Sequence, residues 1–97
     1  MVRVRVEVHQ VKGKCAAGLK PGDWFEVDGF YITGMEGRIC LHALAAMSTL
    51  LTLMSHGHSA KELGIGEERG FLQCPDPGPP LTCGGTVIFK LSEAEVH

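Results

Sequence analysis

Aromatic residues are scarce in this sequence, at 6%, and so is excess charge, a formal −2 with 21% charged residues. That balance gives no global electrostatic reason to expect nucleic acid or a membrane surface as a partner. The longest apolar run, from Ile39 to Met54, is about a turn short of the roughly 20 residues a membrane span needs, and His42 interrupts it. No C-x-x-C pair occurs, so the zinc-knuckle, ferredoxin and thioredoxin spacings are absent. There is no G-x-S-x-G elbow, Walker loop, Rossmann glycine fingerprint or internal repeat. Met1-Val2-Arg3-Val4-Arg5-Val6 lacks the unbroken apolar stretch of a secretory signal, so the expected location is cytoplasmic. In that reducing compartment, four cysteines are expected to be free, metal-bound or catalytic rather than paired in disulfides.

What is present suffices for one domain. A chain of 97 residues, 44% hydrophobic, buries roughly 60 to 70% of the surface that its unfolded form exposes, so a core forms without staples. Basic residues Arg3, Arg5, Lys12, Lys14 and Lys20 load the start, and Glu62, Glu67, Glu68, Asp76, Glu93 and Glu95 load the end. Attraction between the two ends is the simplest expectation.

Val2, Val4, Val6 and Val8 alternate with Arg3, Arg5, Glu7 and His9, the period of a half-buried strand reaching about Val11. Lys20-Pro21-Gly22-Asp23 has the proline and glycine of a type II turn and leads into a strand at Trp24-Phe25-Glu26-Val27. Asp28-Gly29 signals a hairpin returning through Phe30-Tyr31-Ile32-Thr33. No basic stripe accompanies Trp24, Phe25, Phe30 and Tyr31, so they read as core or interface filling rather than as a base-stacking surface.

The central element is expected over Ile39 to Met54. Leu44, Met47, Leu51 and Met54 form one helical stripe, with Ala43, Met47 and Leu50 beside it. His42, Ser48, Thr49, Thr52 and Ser55 leave a thin polar edge, and Gly57 fits the stop. Cys40 falls in the first turn or just ahead of it, where free backbone N–H groups favour a thiolate. A small buried hydrophobe is the plainer reading of that cysteine. Ser59-Ala60-Lys61-Glu62 reads as a capping box opening a short helical turn through Leu63. His56 and His58 flank Gly57 and form only a weak metal candidate.

The other cysteines lie in glycine- and proline-rich loops. Cys15 follows Lys12-Gly13-Lys14, where lysines favour a thiolate, and Cys74 opens the stiff Cys74-Pro75-Asp76-Pro77-Gly78-Pro79-Pro80 segment. Cys83-Gly84-Gly85 precedes a last strand from Thr86 to Leu91, and residues 92–97 read as a polar tail. Loops at one end of an α+β domain can converge. Soft thiolates would then select zinc, an iron–sulfur cluster or copper(I), with His42 or Cys83 as candidates for a fourth ligand.

Lys12-Gly13-Lys14-Cys15, Gly22-Asp23-Trp24-Phe25, Gly37-Arg38-Ile39-Cys40, His42-Ala43, Cys74-Pro75-Asp76-Pro77 and Val87-Ile88-Phe89 resemble an uncharacterised family of small three-cysteine proteins, mainly from anaerobic bacteria and archaea. The resemblance spans nearly the whole chain. It implies a three-cysteine centre of Cys15, Cys40 and Cys74, with Cys83 in a variable insertion and an open fourth position or His42 beside it.

The expected fold is a single α+β domain. A small, mostly antiparallel sheet from the Val2, Trp24, Phe30 and Thr86 strands packs on the central helix, which a second subunit could help to bury. The expected function is binding of a metal or iron–sulfur cluster through Cys15, Cys40 and Cys74, in an electron-transfer or accessory role with a redox protein partner. One alternative is a non-catalytic oligomeric interaction module with core cysteines. Another is a small thiol-dependent redox enzyme using Cys40.

Overall fold

The computed structural model describes residues 1–94. Alternating valines make the first strand, β1 (Arg3–Lys12), whose Val4, Val6 and Val8 are buried while Arg3, Arg5 and Glu7 face the other side. Antiparallel partners β2 (Trp24–Asp28) and β5 (Thr86–Glu93) flank it, in registers that place Arg5 opposite Glu26 and Glu7 opposite Lys90. Both pairs close as ion pairs, at 3.4 and 3.5 Å. Arg3 lies 3.9 Å from both Glu26 and Asp28. Among the described residues, Arg3 and Arg5 are thus paired with β2 rather than, as composition suggests, with the acidic end. Arg5 also lies over the Trp24 ring, 4.2 Å from its centroid.

Strand β3 (Tyr31–Glu36) completes the hairpin with β2. The turn is centred on Gly29-Phe30, one residue later than Asp28-Gly29 predicts. Gly29 takes φ +62°, and among the described residues no non-glycine residue has positive φ, so a glycine at the first central position carries the reversal. Of the four aromatic residues expected to pack, Phe25 is buried and Trp24 is half-covered. Phe30 and Tyr31 are 79 and 72% exposed.

The helix α1 (Leu41–Ser55) begins two residues later than its apolar run and ends one residue later. Its Ala43, Met47, Leu51 and Met54 join Val4, Val6, Val8, Phe25, Val27, Val87, Phe89 and Leu91 in one core. Ser55 departs from the expected polar edge and is fully buried. Its hydroxyl donates to the Val2 carbonyl at 2.9 Å and accepts from the Gly29 N–H at 2.7 Å, pinning the start of β1 and the β2–β3 turn to the helix end. Helix α2 (Ala60–Leu63) carries the predicted capping box and stops at Gly64 with φ +75°.

A fifth strand, β4 (Gly70–Gln73), is an addition to the four expected, and it pairs antiparallel with β5 at the sheet edge. The sheet order is β3-β2-β1-β5-β4, antiparallel throughout. Strand β5 continues through Ser92 and Glu93, so the expected polar tail begins later; residues 95–97 lie outside the described residues. Among the described residues no helix is long and apolar enough to cross a membrane. The β1–β2 connection, the start of α1 and the β4–β5 connection meet at one cavity.

Candidate functional site

Each of the three loops delivers one cysteine through its own local chemistry. Cys15 sits in the loop after β1, where its carbonyl accepts from the Gly18 N–H at 3.0 Å to close a tight turn. That loop packs against Gly85. A Cβ at Gly85 would fall 2.6 Å from the Lys12 carbonyl oxygen and 2.7 Å from the Lys14 nitrogen, so only glycine permits the approach. The backbone that Gly85 admits is the one carrying Cys15.

Cys40 is the N-cap of α1, in extended conformation at φ −80°, ψ 124°, just ahead of the first turn. Its side chain makes no capping hydrogen bond and the first turn holds no acidic residue. The first turn of the helix therefore has no side-chain cap or carboxylate of its own. Beneath Cys40, toward Phe25 and Phe89, is a crevice of only about 10 Å³, room for a water at most.

Cys74 is held by a reciprocal pair with β5. Its N–H donates to the Val87 carbonyl at 2.9 Å, and the Val87 N–H donates to Cys74 Sγ at 3.2 Å. Sγ is also 3.8 Å from the Asp76 and Gly85 carbonyl oxygens.

Asp76 organises the rest of that loop. Its carboxylate accepts from the Gly78 N–H at 2.9 Å and from the Thr82 hydroxyl, and its carbonyl accepts from the Thr86 hydroxyl at 2.9 Å. The Thr82 bond first, and then the Gly78 bond, hold its carboxyl below the ordinary carboxylate range. Sequence reading left this residue out of the site, although Asp-Pro-Gly carries the signal of a side chain that caps its own turn.

Cys15, Cys40 and Cys74, together with His42, line one cavity of about 340 Å³. Its other walls include Ala16, Ala17, Leu19, Pro75, Pro77 and Val87, so the lining is largely hydrocarbon. All three cysteines are half-buried, and all four in the chain are free thiols. Cys83 is exposed and does not line the cavity. His56 and His58 do not line it either. Their rings are engaged locally, His56 with the Thr52 carbonyl at 2.8 Å and His58 with Glu62 at 3.1 Å.

Among the described residues no three His, Cys, Asp or Glu side chains converge closely enough to hold one metal ion. A single tetrahedral zinc draws its thiolates to about 4 Å from one another. Cys15, Cys40 and Cys74 instead line a space more than twice the roughly 150 Å³ that admits a benzene-sized molecule. The chain matches no family model, no curated protein and no solved structure.

Proposed function

We propose that this chain is a small cytoplasmic protein that binds an iron–sulfur cluster through Cys15, Cys40 and Cys74, in an electron-transfer or accessory role with a redox protein partner. The observation that carries the reading is the meeting of three free cysteines, from three separate loops, on one largely apolar cavity. Thiolates are the ligands that such clusters take, and a cavity of about 340 Å³ has room for one. The Val87 N–H directed at Cys74 Sγ is the kind of amide donor that tunes a sulfur-ligated cluster, and Cys40 stands at the uncapped start of α1. Hydrocarbon walls would keep water from a bound cluster and so influence its potential. The motif resemblance points the same way and rests on those residues alone.

Protein purified without oxygen, with and without reconstitution by iron and sulfide, tests the proposal. A broad visible absorption band with stoichiometric iron, lost in a variant carrying serine at positions 15, 40 and 74, is the expected result. Zinc without colour would replace the cluster with a structural or Lewis-acid metal. Metal-free protein that takes up neither metal and matches the variant in stability would end the metal reading altogether.

A second reading, the interaction module, is favoured by the edge strand β3. Ile32 and Met35 on it are 45 and 51% exposed, beside the exposed Phe30 and Tyr31. An oligomer contact, expected on the apolar helix, has exposed apolar side chains on this hairpin as well as on α1, where Leu41 is 73% exposed and Ala45 and Ala46 are exposed. Sedimentation of the unaltered protein against a Tyr31→Lys, Met35→Lys variant distinguishes the two surfaces.

A further inference from the structure

Apart from its three cysteines, the wall of the cavity between the loops is chiefly hydrocarbon, from Ala16, Ala17, Leu19, Pro75, Pro77 and Val87. Among the described residues Asp76 is the one carboxylate on that wall, and the Gly78 N–H and the Thr82 hydroxyl already donate to it. No described lysine or arginine lines the cavity. A charged or hydrated guest would therefore give up water there without gaining matched partners, whereas an apolar body loses only unfavourable hydration. A recess of similar size, about 290 Å³, lies elsewhere on the chain, but Ser59, Glu68, Arg69, Ser92 and Glu93 wall most of it and give it no such preference.

We propose that the metal-free chain binds a small uncharged molecule with a hydrocarbon body in this cavity. At about 340 Å³, against the roughly 150 Å³ that holds a benzene-sized guest, the space takes roughly a dozen non-hydrogen atoms. Affinity comes from hydrocarbon removed from water, so each methylene that the wall covers tightens binding about fourfold until the space is full. No metal is required. The three thiols serve as part of the wall and as reporters of what lies against it.

Protein purified with chelator and without oxygen is alkylated with iodoacetamide, and the rate at each cysteine is read by mass spectrometry. Cys83, exposed and off the wall, is the internal reference. 1-Octanol should slow alkylation of Cys15, Cys40 and Cys74 and leave Cys83 unchanged. 1-Heptanol, one methylene shorter, should need about fourfold higher concentration for the same protection. Triethylene glycol, of similar length but hydrated along its body, should not protect. Ala17 is a half-buried wall residue, so Ala17→Phe should abolish the octanol effect by filling the space, and the smaller Ala17→Leu should weaken it.

Absence of protection up to the solubility limit of octanol, slowing of all four cysteines alike, or equal protection by triethylene glycol overturns the inference. Octanol protection undiminished in both Ala17 variants places the guest elsewhere and overturns it as well. Because the chain tested is metal-free, each of these results leaves the cluster reading to its own test.

Discussion

Ser55 joins three parts of the chain through one hydroxyl, between partners 26 and 53 positions away. Ser55→Ala leaves the buried Gly29 N–H without its acceptor and is expected to cost about 1–3 kcal/mol in urea unfolding, while Ser48→Ala on the exposed face costs about 0.5 kcal/mol or less. Gly85→Ala should cost about 1–3 kcal/mol and move the Cys15 loop off the cavity, seen as faster alkylation of Cys15 with Cys74 as the internal reference. Asp76 has a depressed folded-state carboxyl, so its contribution is complete above the unfolded carboxyl value and is lost as pH falls through the lower folded one. The Gly78 amide resonance should accordingly titrate below the ordinary carboxylate range, and Asp76→Asn should abolish that titration. These residues were the least legible in the sequence. Ser55 follows Leu51 by four residues and so shares the apolar stripe, its polar type alone suggested the polar edge, and nothing local announces partners so remote.

The strands and helices were read more easily, because each carries its period or punctuation within its own length. Alternating valines gave β1, proline and glycine gave the turn before β2, with Gly22 at φ +95°, and stripes of three and four gave α1. The capping box gave α2, and Ser59→Ala should lower stability by about 1 kcal/mol, measured by urea unfolding. Strand β4 escaped because Gly70-Phe71-Leu72-Gln73 is too short to show a period. What makes it a strand is its partner β5, with Phe71 opposite Lys90 and Leu72 opposite Phe89. The hairpin register slipped by one residue for a related reason. Asp28-Gly29 and Gly29-Phe30 are both competent turn centres, and pairing of Asp28 with Tyr31 selects the second.

For the molecule as a whole, the sheet and helix hold three loops at one end while most of the apolar surface goes into a single core. Cysteine spacing alone could not reveal that convergence, since the gaps are long and match no known ligand pattern. The context of each cysteine, after a strand, before a helix and in a proline-rich loop, was the usable signal. It also left Cys83 unresolved, because a position flanked by glycines reads the same on or off a cavity wall. Iron content per chain across the four single cysteine-to-serine variants, each reconstituted without oxygen, tests the central claim most directly. Loss of iron in Cys15→Ser, Cys40→Ser and Cys74→Ser with full retention in Cys83→Ser is the predicted result. Equal iron in all four variants, or loss in Cys83→Ser alone, would contradict it.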